Sequence, residues 1–337
     1  MAALLVGAGI VPAAAAVPSR AATAGRSTAV FGYSVQHRPL VVTTIGDPMA
    51  VRRILVVGCV HGNECAARAV VSNLLRTTPP VGAAYFLIPT LNPDGAAAHT
   101  RQNAHGVDLN KNFASHWKHN GHPGSTYYSG PRPLSEPESR AMVALLKQIN
   151  PTLTIWYHQH LDVVDYCGGS TSAAREYAAA TGMRLTRLPR HRGSVATWEH
   201  LVWPHTSILT VELPARVTIA AVRRHAAAVR LAALVAPGVP SVPDALRLSV
   251  TDTSYLASWR AVAGNGASVD GYEVADRVRR VSGAWSAWTT VLRAGSARSH
   301  RTAAEAGSAH QVRLRARNAV GWGQWSPAFG VTVAAGP

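Results

Sequence analysis

A few short stretches of this chain carry side chains whose types and spacing can do chemistry. In "VVGCVHGNECAA" (Val56–Ala67) an apolar run stops at Gly58, and His61 and Glu64 follow it three residues apart. A neutral imidazole and a carboxylate are good ligands for a first-row divalent metal, and two histidines with one glutamate form a catalytic zinc set when a further position stays open. "IWYHQH" brings His158 and His160 to the end of a second apolar run. They alternate with Gln159, so as strand residues both are expected on one face. Only one is needed as third ligand, and the other is expected behind it or lining the cleft. "SILTVELP" sets Glu212 inside a third apolar run. A charge there needs a partner or a task. Beside a water activated by a metal it has one, as general base and then general acid; a salt bridge to one of the many arginines is the structural alternative.

"TRQNAHGVDLNKNF" follows the turn "LNPDG" and adds three more polar candidates. Arg101 can polarise a carbonyl oxygen and stabilise an oxyanion. Asn110 and Lys111, a hydrogen-bonding group beside a cation, suit a substrate carboxylate.

Such residues must be held by rigid elements. "RRILVVGCV", "AAYFLIPTLN", "LTIWYHQH" and "SILTVELP" are short, apolar and β-rich, as strands of a helix-covered sheet are. "SEPESRAMVALLKQIN" reads as a helix with Ser135 as N-cap, Pro137 in the first turn and Glu138 closing a capping box. Alternating strands and helices predict an α/β domain, and sites on open α/β sheets form at the carboxyl ends of the strands. The proline-rich stretch "VAPGVPSVPDA" ends that pattern. Beyond it, "LRLSVTDTSYLASWRAV", "VDGYEVADRVRR" and "HQVRLRARNAVGWGQWS" alternate apolar and polar residues with no helical period, which predicts a small β-sandwich. The expected organisation is a signal peptide over 1–25, a catalytic domain over 26–236, a linker over 237–242 and an all-β immunoglobulin-like sandwich over 243–337.

The 337 residues and 47% hydrophobic content suffice for two packed cores and argue against global disorder. The net charge of +16 is carried almost wholly by scattered arginines. Such a balance can mean a nucleic acid, an anionic membrane or an anionic polymer as partner; because the arginines form no long basic run, coding bias is an equal alternative, and no nucleic-acid partner is expected. "MAALLVGAGIVPAAAAVPSRAATA" has the apolar core and small-residue tail of a secretory signal, although its first basic residue is Arg20. It is too short and too broken by Gly and Pro for a membrane span, and no other segment is expected to cross a bilayer. Export and a cell-wall or extracellular location are therefore expected. Three cysteines, Cys59, Cys65 and Cys167, allow one bridge and leave its pairing open; Cys59 also reads as a small buried apolar residue.

Six motifs in order resemble the zinc carboxypeptidase (carboxypeptidase A-like) family over about residues 28–234: His-x-x-Glu, "NPDG", an arginine with "GVDLNKNF", "SGPRPLSEPES", a strand-end histidine and "TVELP". The resemblance implies that His61, Glu64 and His158 hold one zinc ion per chain, that Glu212 is the catalytic glutamate, and that Arg101 supports the oxyanion. It implies that Asn110 and Lys111 bind the substrate's terminal carboxylate, and that the sheet is mixed, eight-stranded and flanked by helices. Lys111 departs from the usual arginine and lacks its two-point fork, so weaker carboxylate binding or a different substrate group is expected. The last part of the chain, about residues 242–334, resembles a fibronectin type III domain through Trp259, Gly271-Tyr272 and "RARNAVGWGQWS". His310 stands where such domains usually carry tyrosine.

"HQHLDVVDY" and "RGSVATWEHLVWPHTSILTVELP" are most similar to the murein peptide amidase branch, which cuts between γ-D-glutamate and diaminopimelate in cell-wall peptides. In that reading Asp162 or Asp165 is a candidate partner for the second ammonium of diaminopimelate. A general metallocarboxypeptidase releasing ordinary C-terminal residues is the alternative. An inactive envelope-binding protein is the alternative from a different class, but it should have lost ligands that this chain retains. Trp285, Trp288, Trp322 and Trp325 are candidates for contact with sugar or protein, with core and strand-edge packing the preferred reading, and a cell-envelope polymer is the candidate partner of this domain.

Overall fold

A computed structural model describes residues 25–251, 253–280 and 283–334; the leader expected over 1–25 lies, apart from Gly25, outside them. The first sheet is built from β1 (Arg26–Tyr33), β2 (Pro39–Ile45), β3 (Arg52–Val57), β4 (Ala83–Ile88), β5 (Leu153–Gly168), β6 (Arg184–Thr186) and β7 (Ser207–Pro214). Its helices are α1 (Arg68–Leu74), α2 (Pro93–Ala98), α3 (Pro137–Ile149), α4 (Ser172–Thr181), α5 (Val195–Val202) and α6 (Ile219–Val235). The strand order is β1-β2-β4-β3-β5-β6, with β7 also paired to β5. The β1/β2 and β2/β4 pairs are antiparallel, whereas β3 runs parallel to both β4 and β5. The sheet is mixed, as expected.

Both faces of the central strands are covered, which explains their continuous apolar sequences. Ile54, Val56, Tyr85, Leu87, Ile155 and Tyr157 pack on one side with α1, α4 and α6. The alternate residues Leu55, Val57, Phe86, Ile88 and Trp156 pack on the other with α3 and α5. Full burial of one such side chain is worth about 1.5–3 kcal/mol, so each face is a substantial core.

The count of seven strands, against the expected eight, has a geometric cause in β5. Its first arm pairs with β7 in rising register, from Leu153 opposite Ser207 to His160 opposite Pro214. After Asp162, at φ 54°, the register falls: Val163 faces Glu212 and Gly168 faces Ile208. One continuous strand therefore folds back and flanks β7 with both arms. The start of α3 also differs from the expectation. Its N-cap is Glu136, not Ser135, and no side chain caps it. Ser135 Oγ is engaged by Glu136 and Asn112, and the Glu138 carboxylate reaches away to Val35 N and Asn103 Nδ2. The capping box is replaced by longer-range bonds, while Pro137 does open the helix.

Beyond α6 the chain forms two antiparallel sheets that enclose a separate core. β8 (Arg247–Thr251), β9 (Ser254–Ser258) and β12 (Ser299–Ala303) make the smaller. β10 (Val269–Arg279), β11 (Thr289–Ala294), β13 (Ala309–Asn318), β14 (Gly321–Trp322) and β15 (Phe329–Thr332) make the larger. Tyr255, Ala257 and Trp259 face Tyr272, Val274, Val312 and Leu314 between them, so the sandwich architecture is present. His310 is buried and bonds Asp276 and Ser308. The connecting residues are pinned: Val239 N donates to Val51 O, and Asn318 Nδ2 donates to Gly238 O. Among the described residues no helix is long and apolar enough to cross a membrane.

Candidate active site

Sheet order dictates where the polar residues meet. The parallel neighbours β3, β5 and β7 end side by side, and the segment after β4 enters from the adjacent position. His61 and Glu64 follow β3. His158 lies near the end of the first arm of β5, directly opposite Glu212 of β7. Arg101, Asn110 and Lys111 come from the segment after β4. Two glycines allow the first contact: a Cβ on Gly62 would meet the backbone of Gly95 at 2.0 Å. "HGNE" and "NPDG" therefore touch backbone to backbone. Asn92 caps α2 by accepting from Gly95 N, and donates to Arg101 O, which fixes the following loop beside His61.

Ligand atoms of His61, Glu64 and His158 lie within 4.8 Å of one another, the only such group among the described residues. His61 Nδ1 and His158 Nδ1 stand 2.8 and 3.1 Å from Glu64 Oε2. The other ring nitrogen of His61 faces Asp108 Oδ1 at 3.0 Å. With the proton on Nε2 and donated to that buried carboxylate, the Nδ1 lone pair is aimed into the group, as metal-binding histidines are commonly held. Two imidazoles and a carboxylate, oriented in this way, fit zinc. Burial would raise Glu64, but its hydrogen bonds with His158 and His61 outweigh that and hold it far below the usual carboxylate range. Burial likewise opposes ionisation of Asp108, yet the charges and bonds of His61 and Arg101 bring its pKa to about 2.

Arg101 donates through Nη1 to Glu64 Oε1 at 2.8 Å and through Nε to Asp108 Oδ2 at 3.0 Å. Asn110 is held by Asp108 Oδ1, which accepts its N–H, and by Val195 N, which donates to its side-chain oxygen. Among the described residues the Asn110 NH2 has no acceptor. Lys111 Nζ and Arg101 Cζ both sit 5.5 Å from the centre of the Tyr127 ring. Burial lowers the pKa of Lys111. A cavity of about 670 Å³ joins His61, Glu64, His158, Arg101, Asn110, Lys111 and Tyr127 with Glu212. Glu212 Oε2 is buried and has no hydrogen-bond partner among the described residues. Burial is the leading cause of its raised pKa, with the Glu64 charge acting in the same direction.

The structure thus brings together His61, Glu64, His158, Glu212, Arg101, Asn110 and Lys111. It separates His160, which is exposed beyond the cavity; Gln159 supports Glu64 instead through its backbone N–H. The expectation that both histidines share one face gives way where the strand turns back. Asp162 is exposed at that turn. Asp165 is buried and bonded to Arg190, so it is no open partner for an ammonium. Cys59 and Cys65 form the disulfide, bracing the loop that carries His61, and Cys167 is free and buried. Asp108, which ties His61, Arg101 and Asn110 to one point, was not singled out by the sequence. Its only signal there is a carboxylate between Val107 and Leu109.

The sequence model of the M14 peptidase family, described as zinc carboxypeptidase, matches residues 25–197. Murein peptide amidase A of Escherichia coli (strain K12) is 32% identical over 151 residues, which cover 40% of this chain and 60% of that relative. The chain thus spans only part of that relative's length. The crystal structure of carboxypeptidase A from Helicoverpa armigera is similar in fold, with a TM-score of 0.54 and 17% identity over 62% of this chain and 68% of that one. Bovine thrombin-activatable fibrinolysis inhibitor superposes with a TM-score of 0.51 and 19% identity over 62% of this chain and 88% of that one.

Proposed function

Because this chain belongs to the zinc carboxypeptidase family, a family of zinc metallopeptidases, we propose that it is a secreted zinc-dependent hydrolase of C-terminal amide bonds, acting between γ-D-glutamate and diaminopimelate in cell-wall peptides. The observation that carries the hydrolase reading is the buried Oε2 of Glu212, without a hydrogen-bond partner among the described residues, one strand away from His158 and in the same cavity as the His61, Glu64 and His158 group. The substrate reading rests on the similarity to murein peptide amidase A. In this reading residues 1–25 are a removed leader, 26–236 the catalytic domain, 237–242 a linker and 243–337 a fibronectin type III-like domain.

His61, Glu64 and His158 would hold zinc, whose Lewis acidity polarises the scissile carbonyl and makes water a nucleophile at neutral pH. Glu212 takes the proton of the attacking water and passes it to the leaving nitrogen; its burial favours the protonated form needed for the second step. Arg101, anchored by Glu64 and Asp108, presents its guanidinium to the developing oxyanion. Asn110 and Lys111 hold the terminal carboxylate, so attack proceeds within a positioned complex.

The envelope-polymer partner rests on the outer face of the sandwich. There Arg279, Trp285, Arg277, Trp288, Arg313, Trp325, Arg315, Trp322 and Arg317 alternate in one stack, each guanidinium carbon 4.2–5.3 Å from the next ring centre. Arg277, Arg279 and Arg313 have no carboxylate partner among the described residues, which suits a polyanion.

The test is hydrolysis of L-Ala-γ-D-Glu-diaminopimelate by zinc-loaded protein beside Glu212→Gln. Release of diaminopimelate, lost by about 10²–10⁴-fold in the variant while zinc stays bound, is expected. Release of ordinary C-terminal residues alone would shift the substrate to general peptides. Zinc binding without any hydrolysis would sink the enzyme reading.

A further inference from the structure

A second cavity of about 220 Å³ shares Asn110, His158, His191 and Glu212 with the main cleft. Glu212 marks the scissile bond and Asn110 the terminal carboxylate, so the space between them that leads into this cavity is where the side chain of the released residue must go. Trp156, Leu161 and Leu188 line its walls, and Arg190 and Asp165 bring an ion pair into it. Arg190 is its only arginine or lysine.

The two members of that pair are not equivalent. The Asp165 side chain is 3% exposed, and its oxygens accept from Arg190 Nη1 at 2.6 Å, from Arg190 Nη2 at 3.2 Å and from Leu188 N at 2.8 Å. The Arg190 side chain stays 29% exposed and donates once more, to Tyr166 O. Of its five N–H groups, Nε–H and the second Nη1–H have no partner among the described residues. A guanidinium held at its Nη1/Nη2 edge by a sealed carboxylate and at the other Nη2–H by a carbonyl lines the cavity with single donors left over, each able to make one charge-assisted bond to an anionic group. The loop that carries it is held to the carboxylate-binding segment: Phe113 N donates to Gly193 O, and a Cβ on Gly193, at φ +73°, would strike Lys111 O at 2.0 Å.

We propose that Arg190 recognises a carboxylate at the end of the released residue's side chain, with Asp165 as its positioning residue. The inference deepens the cell-wall reading and rests on it for the identity of that residue. Diaminopimelate is lysine with one further carboxylate on its terminal carbon, so Arg190 would separate cell-wall peptides ending in diaminopimelate from those ending in lysine. It also reverses the sequence-based idea that an aspartate greets the ammonium.

The experiment compares three L-Ala-γ-D-Glu-X peptides with the zinc-loaded full chain. X is meso-diaminopimelate, L-lysine, which lacks the distal carboxylate, or L-2-aminopimelate, which lacks only the distal ammonium. Diaminopimelate and aminopimelate should be cut with similar kcat/KM and lysine about tenfold to hundredfold less well, mostly through KM, the loss expected for one charge-assisted interaction. Arg190→Gln should bring the three values together, and Arg190→Lys should keep part of the preference. Asp165→Asn should raise KM for the two acidic substrates more than for lysine. Because each readout is a ratio within one protein, partial loss of fold cancels. Equal cleavage of the lysine and diaminopimelate peptides by the wild type, or an unchanged ratio in Arg190→Gln, would overturn the proposal. If no γ-linked peptide is cut, the cell-wall reading fails by itself; the same three residues at the end of α-linked N-acyl peptides, and calorimetric titration of the free amino acids, then test Arg190 by the same ratio.

Discussion

Replacing Asp108 by asparagine should loosen the metal centre without touching a metal ligand. The Asp108 side chain is fully buried and accepts from His61 Nε2 at 3.0 Å, Arg101 Nε at 3.0 Å and Asn110 N at 2.9 Å. An asparagine keeps one oxygen. Placed at the Oδ1 position, that oxygen still serves His61 and Asn110, but the new NH2 then faces Arg101 Nε–H, donor against donor. The lost charge-assisted bond costs about 1.5–3 kcal/mol. The His61 imidazole also loses the negative charge behind it, and such outer-shell changes typically cost about 10–100-fold in metal affinity, or about 1.4–2.7 kcal/mol. Competition against a chromogenic chelator would read the zinc dissociation constant directly. The rise in melting temperature produced by zinc should shrink in step, because binding to the folded state stabilises it by RT ln(1 + [L]/Kd). A folded Asp108→Asn protein with wild-type zinc affinity would refute the idea that this carboxylate organises the site.

Glu199 is buried on α5 and accepts from Thr154 and Trp156, and burial pushes its pKa up to about 7. The folded chain therefore keeps a proton that the unfolded chain releases near pH 4.5, so this group's contribution is greatest below that pH and is lost as pH rises through 7, in total by about 3 kcal/mol. Glu199→Gln should flatten that part of the profile and be the more stable protein at pH 8; identical urea-unfolding profiles at pH 5 and pH 8 for the two proteins would contradict this. Changing Cys59 and Cys65 together to serine removes a crosslink between residues six apart and should lower stability by about 2 kcal/mol, measured by chemical denaturation under non-reducing conditions. Trp288 stacks on Arg277 and Arg313 at 4.8 and 4.2 Å. Trp288→Ala should cost about 1–2 kcal/mol from those two contacts, and an unchanged denaturation midpoint would show that the stack is not stabilising.

The sequence by itself determined which elements form and which residue types can do the chemistry. Continuous apolar runs demand burial on both faces, so β3, β4, the first arm of β5, and β7 were legible one segment at a time, as was the change of period that separates the sandwich from the α/β part. His61, Glu64, His158 and Glu212 were legible because imidazoles and carboxylates at the ends of buried strands conflict with local packing unless they have work to do. Residue type and period describe each segment against an average environment. They do not say which distant group it will meet. Only the tertiary structure decided that Asp108 ties His61, Arg101 and Asn110 together, and that β5 doubles back on β7 and carries His160 out of the cleft. It likewise moved Ser135 and Glu138 from a local cap to partners in other segments, and paired Asp165 with Arg190 at the wall of the second cavity. Those outcomes depend on bonds between residues far apart in the chain, whose geometry exists only once the sheet has brought its strand ends side by side.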